Sequence, residues 1–384
     1  MNHTWNWITG PEGRLFSSGL TLVILALLLA MTYRLLVTRR RKAYFSLSVS
    51  LGFLMGAYGL PILAEYGWTG SRDELDYTAQ VIETGAFVLL NLGLLQLYKA
   101  PGGRERMRFY LLLTVALVLP ARQWVHAYEL PADVLLDLYR CLLAVYFFFS
   151  VGPFIRENRK YKLFLGLFLL TELMHLDNTY GHEVPKALPL LLERFLPVAG
   201  AFLLFLIFLN RLVEILQSTY RSAITDGLTG LYNRRHFLNV LARYLKHGIP
   251  VSVVFSDIDN FKKLNDTKGH QTGDDMLAAV ARILQEESEE AGLAGRYGGE
   301  EMVVLLADTS VDAGALAERI RSRVEEETQV TVSLGYSTYS SGLTPEQLIK
   351  QADAAMYHAK QSGKNQAVDY EAMAGPKARQ RKRG

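Results

Sequence analysis

Two fold classes follow one another in this 384-residue chain: an all-α bundle of membrane-spanning helices, then an α/β domain. Three observations predict this division. From Ser18 to about Asn210 the sequence is a succession of apolar stretches. Each stretch is close to the ~20 residues that a bilayer requires of a helix. From Arg211 onward charged residues and short apolar runs bounded by glycine take over, as in a globular α/β protein. The formal net charge of +3 says little, because the charges are unevenly distributed. The single cysteine, Cys141, lies in an apolar stretch, which excludes an intrachain disulfide and reads as a small buried hydrophobe.

Residues 1–13 lack the basic region and small-residue cleavage site of a signal peptide, so the first apolar stretch is expected to stay in the mature chain. Seven segments of spanning length follow, at about 18–37, 43–64, 78–98, 107–125, 132–155, 161–176 and 187–209. The connections alternate in charge. Arg39, Arg40, Arg41 and Lys42 fill the first, Lys99, Arg104, Arg106 and Arg108 the third, and Arg156, Arg159, Lys160 and Lys162 the fifth. The even connections carry mainly Glu65, Asp73, Glu74, Asp76, Glu129, Asp177 and Glu183. Because basic loops stay on the cytoplasmic side, the N-terminus is expected outside the cell membrane and everything after Leu209 inside.

Ionisable residues within such helices are costly and usually face a bundle interior or a watery cavity. In the orientation just derived, Glu83, Arg122, Asp137, Arg140, Glu172, Glu193 and Arg194 all fall toward the outer end. Both signs are present, so structural ion pairs are one reading and a polar pocket for an extracytoplasmic or intramembrane ligand is the other. His126, His175 and His182 lie on the same side but lack metal-ligand spacing.

Residues 210–225 place Leu212, Ile215, Leu216 and Thr219 on one helical face, a linker able to continue the seventh helix. A turn-rich opening at 226–235 leads into a helix over 234–246. Residues 251–256 read as a buried strand ending at Asp257-Ile258-Asp259. Helical periodicity returns over 274–285, and the runs 293–297 and 302–307 flank Gly298-Gly299-Glu300-Glu301. That composition predicts a hairpin turn using positive φ at glycine and presenting two acids at its tip. A helix over 312–327, a strand over 330–336 and a helix opened by Thr344-Pro345 complete the domain.

The segments Asp226-Gly-Leu-Thr-Gly-Leu-Tyr-Asn-Arg-Arg235, Asp257-Ile-Asp-Asn-Phe-Lys262, Asn265-Asp266, Gly269-His-Gln-Thr-Gly-Asp274, Arg296-Tyr-Gly-Gly-Glu-Glu-Met302 and Ala359-Lys-Gln-Ser-Gly-Lys-Asn365 together resemble the GGDEF family of diguanylate cyclases, over about 226–370. The resemblance implies a mixed sheet flanked by helices, similar to the palm of nucleotide cyclases and polymerases. It implies condensation of two GTP into cyclic di-GMP with release of pyrophosphate, and two divalent cations, Mg2+ or Mn2+, at each site. A 3′-hydroxyl must be made nucleophilic and an α-phosphate neutralised, tasks suited to oxygen-bound hard cations. On the family pattern Asp257, Glu300 and the Ile258 carbonyl would hold metal, with Glu301 assisting or orienting the hydroxyl. Asn265 and Asp274 would read guanine, the backbone of Phe261 and Lys262 would meet the phosphates, and Lys360 and Lys364, one helical turn apart, would clamp them.

Two residues depart from the pattern. Met302 stands where the signature has Phe, an apolar swap expected to preserve packing. The Arg-x-x-Asp of product inhibition is Glu289-Glu-Ala-Gly292, so no feedback is expected there. One such domain binds one GTP, so catalysis is expected to need a homodimer. The expected organisation is therefore a sensory membrane region over 1–209, a helical linker over 210–225, the catalytic domain over 226–370 and a basic tail over 371–384 that could touch anionic lipid. No nucleic-acid partner and no hydrolase of the EAL type are expected. The competing readings are a catalytically silent GGDEF receptor or scaffold, against which the intact acids count, and a transporter, against which the one-sided polar cluster counts.

Overall fold

The computed structural model describes residues 7, 10–66, 71–121, 132–181, 187–308 and 310–374. The chain divides into two compact units, Met1–Glu214 and Ile215–Gly384.

In the first unit, helices α1 (Pro11–Arg39), α2 (Lys42–Tyr66), α3 (Arg72–Tyr98), α4 (Gly103–Ala121), α5 (Ala132–Ser150), α6 (Asn158–Leu176) and α7 (Ala187–Ile224) follow the seven apolar segments in order. Pro11 and Glu12 suit the first turn of α1, where amide hydrogens lack acceptors, and Arg40 ends it in the left-handed conformation at φ 48°. Ser71 caps α3, with Asp73 and Glu74 at its positive end. Among the described residues, five helices are long and apolar enough to cross a membrane: those over 11–39, 42–63, 72–98, 133–154 and 187–224. The other two, α4 and α6, each carry four charged residues among nineteen, which lowers their mean hydropathy. The fourth expected span also runs past Ala121 into residues outside the described ones.

Large apolar side chains face outward on these helices, among them Val23 and Leu27 on α1, Phe53 on α2 and Leu142 and Phe149 on α5. A helix apolar on its outer face suits lipid as solvent. The helix α3 is the most enclosed, with 61% of its apolar window buried against 22% for α1. It therefore forms the middle of this unit, and its Leu90, Leu94 and Leu95 join Leu47, Phe147 and Phe164 in one core. Cys141 is partly buried and unpaired. The helix α7 runs 38 residues without a break, about 57 Å at 1.5 Å per residue. The expected linker is thus the end of the seventh helix, to Ile224.

In the second unit a six-stranded mixed sheet has the order β1-β3-β4-β2-β5-β6, from β1 (Tyr232–Asn233), β2 (Ser252–Ile258), β3 (Gly292–Arg296), β4 (Glu301–Leu306), β5 (Val332–Thr338) and β6 (Ala367–Asp369). The outer pairs β1/β3 and β5/β6 are parallel and the inner pairs antiparallel. Side chains alternate across a strand, so Val254, Val304 and Leu334 enter one core with α10 (His270–Ser288) and α11 (Ala313–Glu327). Val253, Phe255, Val303 and Leu305 enter the other with α8 (Arg234–Lys246) and α12 (Pro345–Gln361). Both faces are covered, which is why the central strands read as continuous apolar runs. The expected packing at Met302 is met: it is buried, in the first of these cores.

Three local expectations change. The stretch after Asp259 is the helix α9 (Phe261–Lys268), and α10 starts at His270, four residues before the periodicity suggested, because Gly269 at φ 86° separates two short-range helical runs. The strand β2 continues through Ile258, pairing Asp257 with Glu301 and Ser333. Finally, Gly298 and Gly299 are not among the positive-φ residues. A Cβ at Gly298 would lie 2.2 Å from Glu301 Oε2, so a side chain there would displace the Glu301 carboxylate.

Candidate active site

Strand β2 carries Asp257 on the edge where its ladder with β4 ends, opposite Glu301. The hairpin β3–β4 closes through the Tyr297 and Gly298 amides, which both donate to the Glu301 carbonyl at 2.9 and 3.2 Å. This leaves Glu300 at its tip and sets Glu301 beside Asp257. Asp257 is nearly buried. Its Oδ1 lies 2.6 Å from Lys360 Nζ, an ion-pair distance whose angles do not make a hydrogen bond. Burial pushes the Asp257 carboxyl above the ordinary range, against the pull of Lys360. Burial likewise raises Glu300 and Glu301, and the Asp257 charge raises both further. Asp353, from α12, is a further negative neighbour of Glu301 and is itself raised by burial. Four acids therefore share the charge of one lysine, an arrangement that favours the arrival of positive charge.

Beyond Ile258 the chain turns through Asn260 in the left-handed conformation, at φ 57°, and begins α9 with no side-chain cap. The first amides of that helix, at Phe261 and Lys262, are thus available to an anion. Phe261 is buried and Lys262 exposed. Lys364 donates from Nζ to Asn260 Oδ1 at 2.6 Å. The two lysines are not one helical turn apart: α12 ends at Gln361, and Lys364 lies in a left-handed turn at φ 66°. They nevertheless converge on Asp257 and Asn260, at the same end of β2.

Asn265 on α9 packs against α10 at Gly273, where a Cβ would lie 1.9 Å from Asn265 Oδ1. That oxygen is buried and has no hydrogen-bond partner. Asp274, the next residue of α10, is exposed.

Sequence reasoning assigned no role to three residues that position the others. Asp259 accepts from the hydroxyls of Thr331 and Ser333, both at 2.7 Å, and from the Asn365 amide at 3.1 Å, so it anchors the turn instead of facing the acids. Arg296 donates to Asp226 Oδ1 at 2.9 Å and to the Gly299 carbonyl at 2.6 Å, tying the hairpin to the turn that follows α7. Both Asp226 and Arg296 stand inside quoted motifs, yet only their meeting in space reveals the link. Arg234 stacks on Tyr297 at 4.4 Å.

In the helical unit, Arg140 joins Glu83 at 2.7 Å and Glu172 at 2.8 Å. His175 meets Glu193 at 2.8 Å and lies 3.8 Å from Asp137. Arg194 donates to the Gly10 carbonyl at 2.7 Å. Arg122, His126 and His182 lie outside the described residues, as does the basic tail from residue 375. An ion pair of Arg14 with Asp76, at 2.5 Å, joins this end of the bundle without having been anticipated.

Among the described residues no group of three or more His, Cys, Asp or Glu is gathered tightly enough to hold a metal. The donors that the resemblance implies are two carboxylates and one backbone carbonyl. The raised pKa values of Glu300 and Asp257, each pushed up by burial in the presence of other acids, fit a hard cation.

Residues 223–366 match the family described as diguanylate cyclase, GGDEF domain. The response regulator PleD of Caulobacter vibrioides is 44% identical over 169 residues, covering 40% of this chain and 37% of that protein. The probable diguanylate cyclase DgcT of Escherichia coli K12 is 36% identical over 191 residues, 46% of this chain and 42% of that protein. The chain thus spans less than half the length of these relatives. Among solved structures, the coiled coil and GGDEF domain of DgcB from Caulobacter crescentus with c-di-GMP is 32% identical, covers 42% of this chain and 93% of that one, and gives a TM-score of 0.39. By this match and by the six motifs on the sheet just described, residues 223–366 form a GGDEF domain of the diguanylate cyclase family.

Proposed function

We propose that the chain is a membrane-bound diguanylate cyclase, joining two GTP into cyclic di-GMP and two pyrophosphates. The observation that carries this reading is the meeting of Asp257, Glu300 and Glu301, all with raised pKa, at the end of β2 in a GGDEF domain. Asp257, Glu300 and the Ile258 carbonyl would hold Mg2+ or Mn2+, two ions per site. Such ions supply charge neutralisation at the α-phosphate and acidify the attacking hydroxyl. The chain's own groups do the rest. The open amides of α9 and the side chains of Lys360 and Lys364 bind phosphate oxygens, Asn265 and Asp274 bind the guanine edges, and Glu301 orients the 3′-hydroxyl.

Two nucleotides must lie antiparallel, which calls for two copies of the domain. Val213, Leu216 and Tyr220 support this: they are exposed on α7 at i, i+3 and i+7, a stripe suited to a second copy. The basic odd-numbered connections support a cytoplasmic catalytic domain and an N-terminus outside the cell membrane. The helical unit then serves as sensor, acting through α7. Feedback at the Arg-x-x-Asp position is absent, because Glu289 and Gly292 supply neither a guanidinium nor room for a carboxylate.

The test is to incubate the full-length protein with GTP and Mg2+ and identify the product by mass spectrometry, alongside Glu300→Ala and Asp257→Asn. Cyclic di-GMP from the parent and about a hundredfold less from either variant, each melting normally, is the expected result. GTP binding with no product would favour a silent GGDEF receptor.

A further inference from the structure

The helical unit holds a cavity of about 350 Å3 lined by α1, α2, α3, α5, α6 and α7, a size in the range of small-molecule sites. Its polar groups gather at one end. The half-exposed Arg14–Asp76 pair stands there, and the buried Arg140 lies within, bridging Glu83 and Glu172. The other end is apolar, with Leu25, Leu90 and Leu204 on the floor and Phe87 stacked on Phe168 at 4.0 Å along the wall. From Asp76 to Leu90 is fourteen residues of one helix, about 21 Å. The cavity is therefore long, charged at one end and oily at the other.

The balance of charge selects its occupant. Among the described residues on and behind this lining, the acids Asp76, Glu83, Asp137, Glu172 and Glu193 outnumber the arginines Arg14, Arg140 and Arg194, with His175 as a fourth possible cation. Among the described residues, the atoms of this cluster without a hydrogen-bond partner are mainly acceptors, Glu172 Oε2, Gln80 Oε1 and both Asp137 oxygens, against the donor Arg140 Nε and the Tyr77 hydroxyl. Glu172 and Gln80 line the cavity, and Glu172 is 2% exposed. Buried acceptors left unpaired are expensive. An anion would add negative charge beside Arg140, which already has two carboxylates, while Arg14 is paired with Asp76 and Arg194 donates to the Gly10 carbonyl. A bare metal ion would need a tighter oxygen cage than the described residues form and would leave the apolar length empty.

We infer that this cavity, in the unit read above as a membrane sensor, binds a free monoamine: a primary ammonium held by Glu172 and Gln80 on an apolar, aromatic-sized body lying among Phe87, Phe168 and Leu204. The ammonium supplies three N–H donors and one positive charge, and aromatic faces nearby add cation–π attraction.

The test uses the full-length protein in nanodiscs of phosphatidylcholine and phosphatidylglycerol, which carry no primary ammonium. Equilibrium dialysis without GTP compares 2-phenylethylamine, 2-phenylethanol and 3-phenylpropionate, so the outcome does not depend on cyclase activity. Saturable binding of one amine per chain, at least about tenfold tighter than either analogue, is expected. Glu172→Gln should weaken amine binding about tenfold, and Ala57→Leu, which fills the cavity from α2 without touching a charge, should abolish it. Equal binding of alcohol and amine, unchanged amine binding in Glu172→Gln, or no saturable amine binding at millimolar concentration would each overturn the assignment. The parent's discrimination among the three probes decides the matter even if a variant fails to fold.

Discussion

Replacing Gly273 by alanine should separate stability from substrate recognition. The added methyl would lie 1.9 Å from Asn265 Oδ1, where ordinary contact begins near 3.4 Å, so about 1.5 Å of overlap must be relieved. The near atom is the end of a side chain that makes no hydrogen bond through that oxygen. Asn265 can therefore swing aside with the helices intact. Alanine gains about 1 kcal/mol over glycine in a helix interior, which offsets the displacement. The lost hydrogen bond to guanine costs about 1–3 kcal/mol, or roughly ten- to a hundredfold in GTP affinity. The expected result is a melting temperature within a few degrees of the parent together with weakened GTP binding, read by titration of a fluorescent GTP analogue and by scanning fluorimetry on the full-length protein. Asn265→Ala should behave alike, and the double variant should be no worse than either, since both remove the same contact. Parental GTP affinity in Gly273→Ala would refute the assignment of Asn265 to the base.

Other expectations follow from the same geometry. The folded-state pKa of Glu300 is raised, so its ionised form opposes folding. That penalty is absent below the ordinary carboxylate range and develops as pH rises toward the shifted value. In metal-free buffer Glu300→Gln should therefore melt above the parent near pH 8 and with it near pH 4, while Mg2+ should stabilise the parent alone; an equal Mg2+ effect on both would remove Glu300 from the metal site. Asp274→Ala should lower the preference for GTP over ATP by about tenfold or more in competition binding, because a base edge that loses its partner loses discrimination; an unchanged preference would make Asp274 structural. Gly292→Asp, intended to restore half of the inhibitory motif, should instead destabilise the domain by about 2 kcal/mol in urea unfolding. A Cβ at that position lies 1.8 Å from the Leu305 backbone carbonyl, and a backbone cannot rotate away.

Sequence legibility followed the range of the interactions. The apolar helices of the first unit and the strands of the second were readable because apolar periodicity and alternation are local properties, set by the period of each element. The signature acids Asp257, Glu300 and Glu301 were readable because the motifs lie in compact runs. Turn details were less so. The sequence suggested positive φ for Gly298 and Gly299, which neither adopts, and it set Lys364 one helical turn from Lys360, where the chain has in fact left the helix at Gln361. Both depend on neighbours or on where a helix stops, and neither is encoded in composition.

By itself the sequence determined the order of elements, the change of composition near residue 210 and the chemistry available at each motif, since these are set by residue type over short windows. Tertiary structure decided which groups meet. It set Lys360 against Asp257 across about a hundred residues, turned Asp259 away to hold Thr331, Ser333 and Asn365, and joined Asp226 to the hairpin through Arg296. In the helical unit it brought Glu83, Arg140 and Glu172 from three helices onto one cavity. The physical reason is that an ion pair or a close contact is a property of distance in space, and helices and strands that are far apart in sequence acquire that distance only when their apolar faces pack.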